Sequence, residues 1–241
     1  MTTPQPVESI FARSWTLLNR NWIIVVPGLV IGLIAGVLTS LLVPQSSYDT
    51  STTAVTGTLA GATGRVGAGI VALLAYIATQ AYTTGMAGAA WQRGTTTFAD
   101  GAASFQEDAG RIVVTAIGLI LLGVAAAVLA FPTLGLSVLA FFVLTLYAMP
   151  AAIVGNRDGF SSIRESFTIV RHRFSTTLII AIVLFVVFVV VTFIAAIFSY
   201  IPYLGPVITA CIEQAVVAFA VLVLVGEYLD ARGTGDTTEL P

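Results

Sequence analysis

Residues 174–212, FSTTLIIAIVLFVVFVVVTFIAAIFSYIPYLGPVITACI, form a long apolar stretch in which no side chain carries a formal charge. A helix of roughly 20 apolar residues, rising about 1.5 Å per residue, crosses the hydrocarbon core of a bilayer, which is about 30 Å thick. The stretch is nearly twice that length, and Pro202, Gly205 and Pro206 interrupt it with residues typical of turns. We therefore predict two transmembrane helices here, joined by a short turn.

Other parts of the chain show the same pattern. Residues 112–156 carry no charge and are broken at Phe131-Pro132-Thr133-Leu134-Gly135, while Trp22–Val43 and Val66–Ala90 are each long enough for one helix. The runs are continuous, whereas a β-barrel would show alternating segments of about ten residues. We predict an all-α integral membrane domain over residues 1–229, with spans at about 22–43, 66–90, 112–131, 134–154, 176–199 and 203–228, and a polar cytoplasmic tail at 230–241.

The composition also bears on chemistry. Of 241 residues, 57% are hydrophobic and 9% are charged, against roughly 25% charged in a soluble domain. With one histidine, His172, and one cysteine, Cys211, the sequence offers no metal-ligand cluster, no disulfide and no nucleophile paired with a base. We predict a protein that is not an enzyme, with no catalytic residues, no metal, no cofactor and no nucleic-acid partner.

The arginines indicate the orientation, because cytoplasmic segments of membrane proteins are enriched in basic residues. If the N-terminus lies inside, only Arg65 falls on the outer side. The arginines on the cytoplasmic side are then Arg13, Arg20, Arg93, Arg111, Arg157, Arg164, Arg171, Arg173 and Arg232. We predict that both termini are cytoplasmic. The alternative, a cleaved signal peptide, fits poorly because the first apolar run is too long and no clear cleavage site follows it.

Aromatic and aliphatic residues recur with helical spacing before three of the spans. The set before span 1 is Phe11, Trp15, Leu18 and Trp22, the set before span 5 is Ile163, Phe167, Val170 and Phe174, and a weaker set before span 3 is Phe98, Ala102, Phe105 and Ala109. This spacing predicts an amphipathic helix on the cytoplasmic surface before each of three transmembrane hairpins. Amphipathic spacing also arises without a repeat, so both interpretations stay open.

Several short motifs resemble a broad prokaryotic family of six-helix membrane proteins without a settled activity. They are the leader Ser14-Trp15 through Asn21-Trp22, Gly88 with Arg93-Gly94, Phe98-Ala99-Asp100 through Phe105, Ile163-Arg164-Glu165-Ser166-Phe167, and Tyr228-Leu229-Asp230-Ala231-Arg232. That family is related to the membrane domain found beside some glycerophosphodiester phosphodiesterases. The resemblance implies a multi-pass protein of the prokaryotic inner membrane. It implies no hydrolase activity, because we find no phosphodiesterase domain in this sequence.

Glu213 is the most unusual residue in the predicted spans, since a charged carboxylate inside a membrane costs several kcal/mol unless it is protonated or paired. Gln80 and Gln214 are the candidate polar neighbours, and we group the three as a predicted intramembrane polar site. Three interpretations remain open. Glu213 is neutral and hydrogen-bonded in the bundle, it handles protons or cations, or it contacts a partner subunit or ligand.

Two further sets of residues suggest contacts. Gly28, Gly32 and Gly36 form consecutive G-x-x-x-G steps, which let a neighbouring helix approach closely, either within the chain or from a partner. Arg164, Arg171 and Arg173 form a basic set, which indicates contact with anionic phospholipids or serves only to orient the chain.

The sequence leaves two functions open. The absence of a convergent polar site and the glycine steps favour a scaffold or accessory subunit of a membrane assembly, bound to a protein partner or a second copy within the bilayer. Glu213 and the possible repeat favour a transporter or lipid-handling protein with a proton- or cation-linked site. The expectation is narrowly for the scaffold.

Overall fold

The computed structural model describes residues 5–42, 56–198, 201 and 204–234, and nearly all of these residues are helical, with no β-strand within these ranges. The elements in chain order are α1 (Val7–Arg20), a short 3-10 helix (Trp22–Val25), α2 (Val26–Leu42), α3 (Thr56–Arg93), α4 (Phe98–Glu107), α5 (Ala109–Val128), α6 (Leu136–Thr145), α7 (Ala148–Ile153), α8 (Gly159–His172), α9 (Phe174–Phe198) and α10 (Leu204–Thr234). The prediction of an all-α fold is confirmed.

Six helical stretches are long and apolar enough to cross a membrane. Span 1 is Trp22–Leu42, span 2 is Gly64–Arg93, span 3 is Ala109–Val128, span 4 is Leu136–Ile153, span 5 is Phe174–Phe198 and span 6 is Val207–Gly233. By length and composition, the prediction of a multi-pass membrane protein with six spans is confirmed. Because α10 continues to Thr234, the tail predicted from residue 230 begins inside a helix, and residues 235–241 lie outside the described residues.

The turn between spans 3 and 4 lies where the sequence predicts it. Leu134 and Gly135 both have positive φ angles, 51° and 84°, and the amide of Gly135 donates to the carbonyl of Ala130 at 2.7 Å. Glycine adopts this left-handed conformation without the steric cost of a Cβ atom, and a residue in this conformation commonly ends a helix. The chain can therefore reverse direction within a few residues.

Span 4 is broken between α6 and α7, a feature that the sequence does not predict. Pro150 lacks an amide hydrogen, and its ring crowds the carbonyl four residues earlier, which disrupts a helix. Ser166 of α8 compensates, since its hydroxyl donates to the carbonyl of Leu144 at 2.7 Å and accepts from the amide of Tyr147 at 3.1 Å. The backbone groups freed at the break are thus satisfied inside the protein, as a membrane environment requires.

The even-numbered spans form the centre of the bundle. Helices α3, α7 and α10 contact one another, whereas α2 packs against α3, α5 against α6 and α7, and α9 against α10. The helices outside the spans each pack on an even-numbered span, with α1 on α10, α4 on α3 and α8 on α7, and α8 also packs on α5 of span 3. The contact of α1 with α10 joins the beginning of the described chain to its end and closes the arrangement into a ring.

Helices α1 and α8, which precede spans 1 and 5, share three local features. Both have 14 residues, and both end at a residue with similar dihedral angles, Asn21 at φ −124° and ψ 50°, and Arg173 at φ −121° and ψ 39°. The aligned serines Ser14 and Ser166 are both completely buried. The middle helix α4 is shorter, with 10 residues, and ends at Asp108.

Candidate functional site

A cavity of about 570 Å³ lies between the three even-numbered spans, with span 3 on one side. Its wall is mostly aliphatic and aromatic, and four lining residues carry a polar side-chain group: Tyr76, Gln80, Thr84 and Thr145. Pockets that bind small molecules in proteins typically measure about 300–1,000 Å³ and are mainly apolar with a few polar groups. The cavity has the size and lining of a ligand site.

The polar groups of the cavity differ in whether they already form hydrogen bonds within the protein. The hydroxyl of Thr84 donates to the carbonyl of Gln80, and that of Thr145 donates to the carbonyl of Phe141, each at 2.7 Å. In the part of the chain that the structure describes, the side-chain amide of Gln80 makes no hydrogen bond. Gln80 therefore presents both donors and its acceptor to the cavity.

The cavity reaches the lateral surface of the bundle between spans 2 and 4. Tyr76 and Phe142 both line it, and each is 62% exposed. Both residues lie well inside the stretches that are long enough to cross a membrane. The cavity is thus open on a lateral face of the bundle.

One end of the bundle, which we call the charged end, brings the beginnings of the odd-numbered spans to the ends of the even-numbered ones. Arg111 at the start of α5 bonds Asn156 after α7, and Arg173 before α9 bonds Asp230 near the end of α10. The charged groups of the described residues that form ion pairs all lie at this end. The opposite end carries exposed apolar residues such as Phe131 and Leu134.

Three close contacts join the even-numbered spans between the cavity and the charged end. Each even-numbered span, or the residues just after it, presents a glycine that is covered by a side chain of another even-numbered span. The pairs are Val154 over Gly88, Tyr228 over Gly155 and Trp91 over Gly226, and we call them the closing ring. A Cβ atom at Gly88 would lie 2.9 Å from Val154, and one at Gly155 or Gly226 would overlap the covering side chain. No larger residue fits these three positions without displacement.

Trp91 is held in the closing ring from two sides. Its indole Nε1 donates to the carbonyl of Leu222 in α10 at 2.8 Å. The guanidinium of Arg13 lies 4.4 Å from the centre of the indole ring and donates to the carbonyl of Trp91 at 3.2 Å. A cation over an aromatic face is attracted by the ring electrons, so α1 fixes the position of Trp91.

Tyr228 is held by a buried carboxylate. Its hydroxyl donates to Glu165 Oε1 at 2.8 Å, and Arg157 Nε lies 2.6 Å from Glu165 Oε2. Arg232 Nε lies 3.6 Å from Glu165 Oε1 and approaches the ring of Tyr228. Glu165 therefore joins α8 to the end of span 4 and to span 6.

A second buried ion-pair network lies between spans 5 and 6. Arg173 Nη1 lies 3.1 Å from Glu227 Oε1 and 2.6 Å from Asp230 Oδ2. Burial alone would lower the pKa of the Arg173 guanidinium, but its hydrogen bonds to Asp230 and Glu227 outweigh burial and raise the pKa above its ordinary value. Glu227 is completely buried, and its Oε2 has no hydrogen-bond partner within the described residues. Glu227 thus depends on Arg173 for compensation of its charge.

Of the predicted basic set, Arg164 and Arg171 are exposed on α8, whereas Arg173 turns inward to Glu227 and Asp230. The two acids are not among the site residues predicted from the sequence. The signal was available, since Glu227 and Asp230 lie three residues apart on one face of a helix at the same end as Arg173. An arginine that begins one span faces such a pair when the two spans pack side by side.

The three residues of the predicted intramembrane polar site lie in three different environments. Gln80 lines the cavity, and Gln214 packs against Gly28, filling the space that a Cβ atom of Gly28 would occupy. Glu213 is exposed, and no hydrogen bond among the described residues joins the three side chains. Glu213 lies one helical turn beyond Val217, which lines the cavity, so it lies on the same face of α10.

The three glycines of span 1 also differ. Gly28 is buried against Gln214 and Thr79, so its lack of a side chain serves packing within the chain. Positions for Cβ atoms at Gly32 and Gly36 have no other atom within 4 Å among the described residues. The outer two glycines therefore leave an open strip on α2.

At the start of α4, Asp100 is the centre of a small polar cluster. It accepts a hydrogen bond from the amide of Thr97 at 2.7 Å and pairs with Arg93 at 2.5 Å. Partial burial would raise the pKa of Asp100, but the hydrogen bonds from Arg93 and Thr97 hold it below its ordinary value. The ionised form of Asp100 thus stabilises the junction of α3 and α4.

The fold and the site together define a multi-pass helical membrane protein with an apolar cavity that is closed at one end. No family model, curated protein or solved structure matches the chain.

Proposed function

We propose that the protein is a non-enzymatic lipid-handling protein that binds the apolar chain of a membrane lipid in its central cavity. The observation that carries this proposal is the cavity of about 570 Å³, which lies between the even-numbered spans and opens toward the side of the bundle. A scaffold needs no such cavity. We therefore favour the lipid-handling function over the scaffold, although the sequence alone narrowly favours the scaffold.

The geometry supports entry from the bilayer. The lateral opening at Tyr76 and Phe142 lies within the spans, while the closing ring blocks the charged end. An apolar chain that leaves the bilayer for this cavity exchanges one apolar environment for another, so shape and polar contacts decide its affinity. In this arrangement the lipid is bound from the membrane and is separated from the charged end.

We further propose that the charged end faces the cytoplasm of a prokaryotic cell. The arginine distribution supports this orientation. Trp15, Trp22 and Phe160 are exposed at this end, as expected of aromatic anchors in short helices that lie at the membrane interface. Arg164 and Arg171 are exposed beside them and fit contacts with anionic phospholipids. A relation to the membrane domain beside glycerophosphodiester phosphodiesterases stays a proposal based on the sequence motifs.

Photo-crosslinking tests the lipid-handling proposal. The purified protein in phosphatidylcholine nanodiscs is exposed to a long-chain lipid with a diazirine in its acyl chain, and the modified residues are mapped by mass spectrometry. We expect modification of cavity residues that are buried or partly buried, such as Val221 and Leu224. Ala220→Phe, which fills the cavity, should abolish it, whereas Ala127→Phe on the exposed side of span 3 should not. Equal labelling of all three proteins, confined to the outer surface, would refute the proposal.

A scaffold or accessory subunit remains the second candidate, and the exposure of Glu213 within span 6 favours it. A carboxylate facing lipid costs about 2.5 to 3.5 kcal/mol by insertion measurements, which a partner that covers it would remove. The open strip at Gly32 and Gly36 offers a close approach to such a partner or to a second copy. Extraction in native lipid followed by mass spectrometry would show a stoichiometric protein partner if this candidate is right.

The proton- or cation-linked role of Glu213 also stays a proposal. Glu213→Gln should abolish a pH-driven flux in proteoliposomes if Glu213 carries protons, and an unchanged flux would remove that role.

A further inference from the structure

We propose that the cavity selects a neutral lipid that carries one hydrogen-bonding group, such as a hydroxyl or an amide, and that Gln80 is the residue that recognises this group. The inference rests on the proposed lipid-handling function and names the class of ligand. It follows from two observations on the cavity wall.

The first observation is the unused hydrogen-bonding capacity of Gln80. Thr84 and Thr145 already donate to carbonyl groups of their own helices, whereas the amide of Gln80 has no partner among the described residues. The hydroxyl of Tyr76 also has no partner among them, but Tyr76 is 62% exposed at the lateral opening. An amide in apolar surroundings without a hydrogen bond is costly. A ligand with a hydroxyl or amide satisfies Gln80, and a pure hydrocarbon does not.

The second observation is the absence of charge in the wall. The described residues that line the cavity include no arginine, lysine, histidine, aspartate or glutamate. An ionised headgroup placed here would lose its hydration without gaining a counter-charge, which is strongly unfavourable. The buried ion pairs of Arg173 and Glu165 lie beyond the closing ring and are already formed with partners in the chain.

Competition against the diazirine lipid tests the inference with three probes of equal chain length: 1-hexadecanol, hexadecyl sulfate and hexadecane. We expect hexadecanol to compete best in nanodiscs. In Gln80→Leu, the affinity for hexadecanol should fall about threefold to tenfold, as expected from loss of one hydrogen bond, while that for hexadecane stays unchanged. The matched control Gln106→Leu changes an exposed glutamine on α4 and should leave all three affinities unchanged.

The outcomes separate the two proposals. If the diazirine lipid labels the cavity but hexadecyl sulfate competes as well as hexadecanol, or Gln80→Leu leaves the ranking unchanged, the inference about neutral lipids is wrong and the lipid-handling function stands. If no probe competes and Ala220→Phe is labelled like the wild type, both proposals are wrong.

Discussion

The hydroxyl of Tyr228 donates a hydrogen bond to Glu165 while it covers Gly155, so that one side chain joins span 6, α8 and the end of span 4. The distance from the hydroxyl to Glu165 Oε1 is 2.8 Å, and both side chains are buried. This contact sits at the closed end of the cavity. The stability of the closing ring is therefore coupled to a carboxylate that Arg157 and Arg232 hold in place.

Tyr228→Phe should lower the free energy of unfolding by about 1.5 to 3 kcal/mol, the usual effect of losing a hydrogen bond to a charged group. The phenyl ring keeps the packing over Gly155, so the loss reports on the hydrogen bond alone. Thermal unfolding in detergent measures it. Tyr76→Phe is the control, because the Tyr76 hydroxyl has no hydrogen bond among the described residues. Equal effects of both substitutions would contradict this role of Tyr228.

Gly226→Ala should destabilise the protein by about 1 to 3 kcal/mol, the usual cost of overpacking. The added Cβ would overlap the indole of Trp91, which cannot move away without breaking its bond to Leu222. Gly110→Ala is the matched control, since no other described atom lies within 4 Å of its Cβ position. The smaller ring in Trp91→Phe should make the double variant more stable than the two single effects predict. Strict additivity would show that Trp91 and Gly226 are not coupled.

Arg173→Met should destabilise the protein by about 3 to 5 kcal/mol, because Glu227 is left buried without a compensating charge. Changing Glu227 as well, in Arg173→Met/Glu227→Leu, should recover much of the loss. The exposed neighbour gives the control, and Arg171→Met should change the stability by less than about 0.5 kcal/mol. If Arg171→Met proved as harmful as Arg173→Met, an inward role of Arg173 could not be maintained.

Asp100 predicts a dependence of stability on pH. The folded state holds the pKa of Asp100 below that of the unfolded chain, so its contribution is present above the unfolded value, about 3.9, and is lost as the pH falls through the folded value. Asp100→Asn should cost about 1 kcal/mol at neutral pH, and the difference from the wild type should shrink as the pH falls below about 4. Unfolding temperatures measured from neutral pH to pH 3 test this. A difference that is constant over the whole range would show that the Asp100 charge is not involved.

The six spans could be predicted from the sequence because charge-free runs of sufficient length have few other uses in a protein. The ends of the helices were harder to predict, because α3 begins at Thr56 in a segment of threonine, glycine and alanine that is not typical of a membrane span. The break in span 4 was missed because Pro150 alone does not reveal that Ser166 of another helix satisfies the freed backbone groups. Local pattern predicts a helix, but it does not predict which neighbour compensates its defects.

The candidate site was predictable only in part. Gln80 was singled out as a polar residue in an apolar span, and it lines the cavity. The cavity itself depends on how far side chains of different helices hold α3, α7 and α10 apart. The periodicity of the sequence carries no information about these distances. The inward orientation of the Arg173 side chain could not be predicted either, because its sequence neighbours Arg171 and His172 are exposed.

Native mass spectrometry of the protein released from its own membrane tests the proposal that the cavity holds a lipid. We expect a single lipid bound to the wild type and to Ala127→Phe, and loss of that lipid in Ala220→Phe, whose side chain fills the cavity. Absence of a bound lipid from all three proteins, or the same bound lipid in Ala220→Phe, would contradict it.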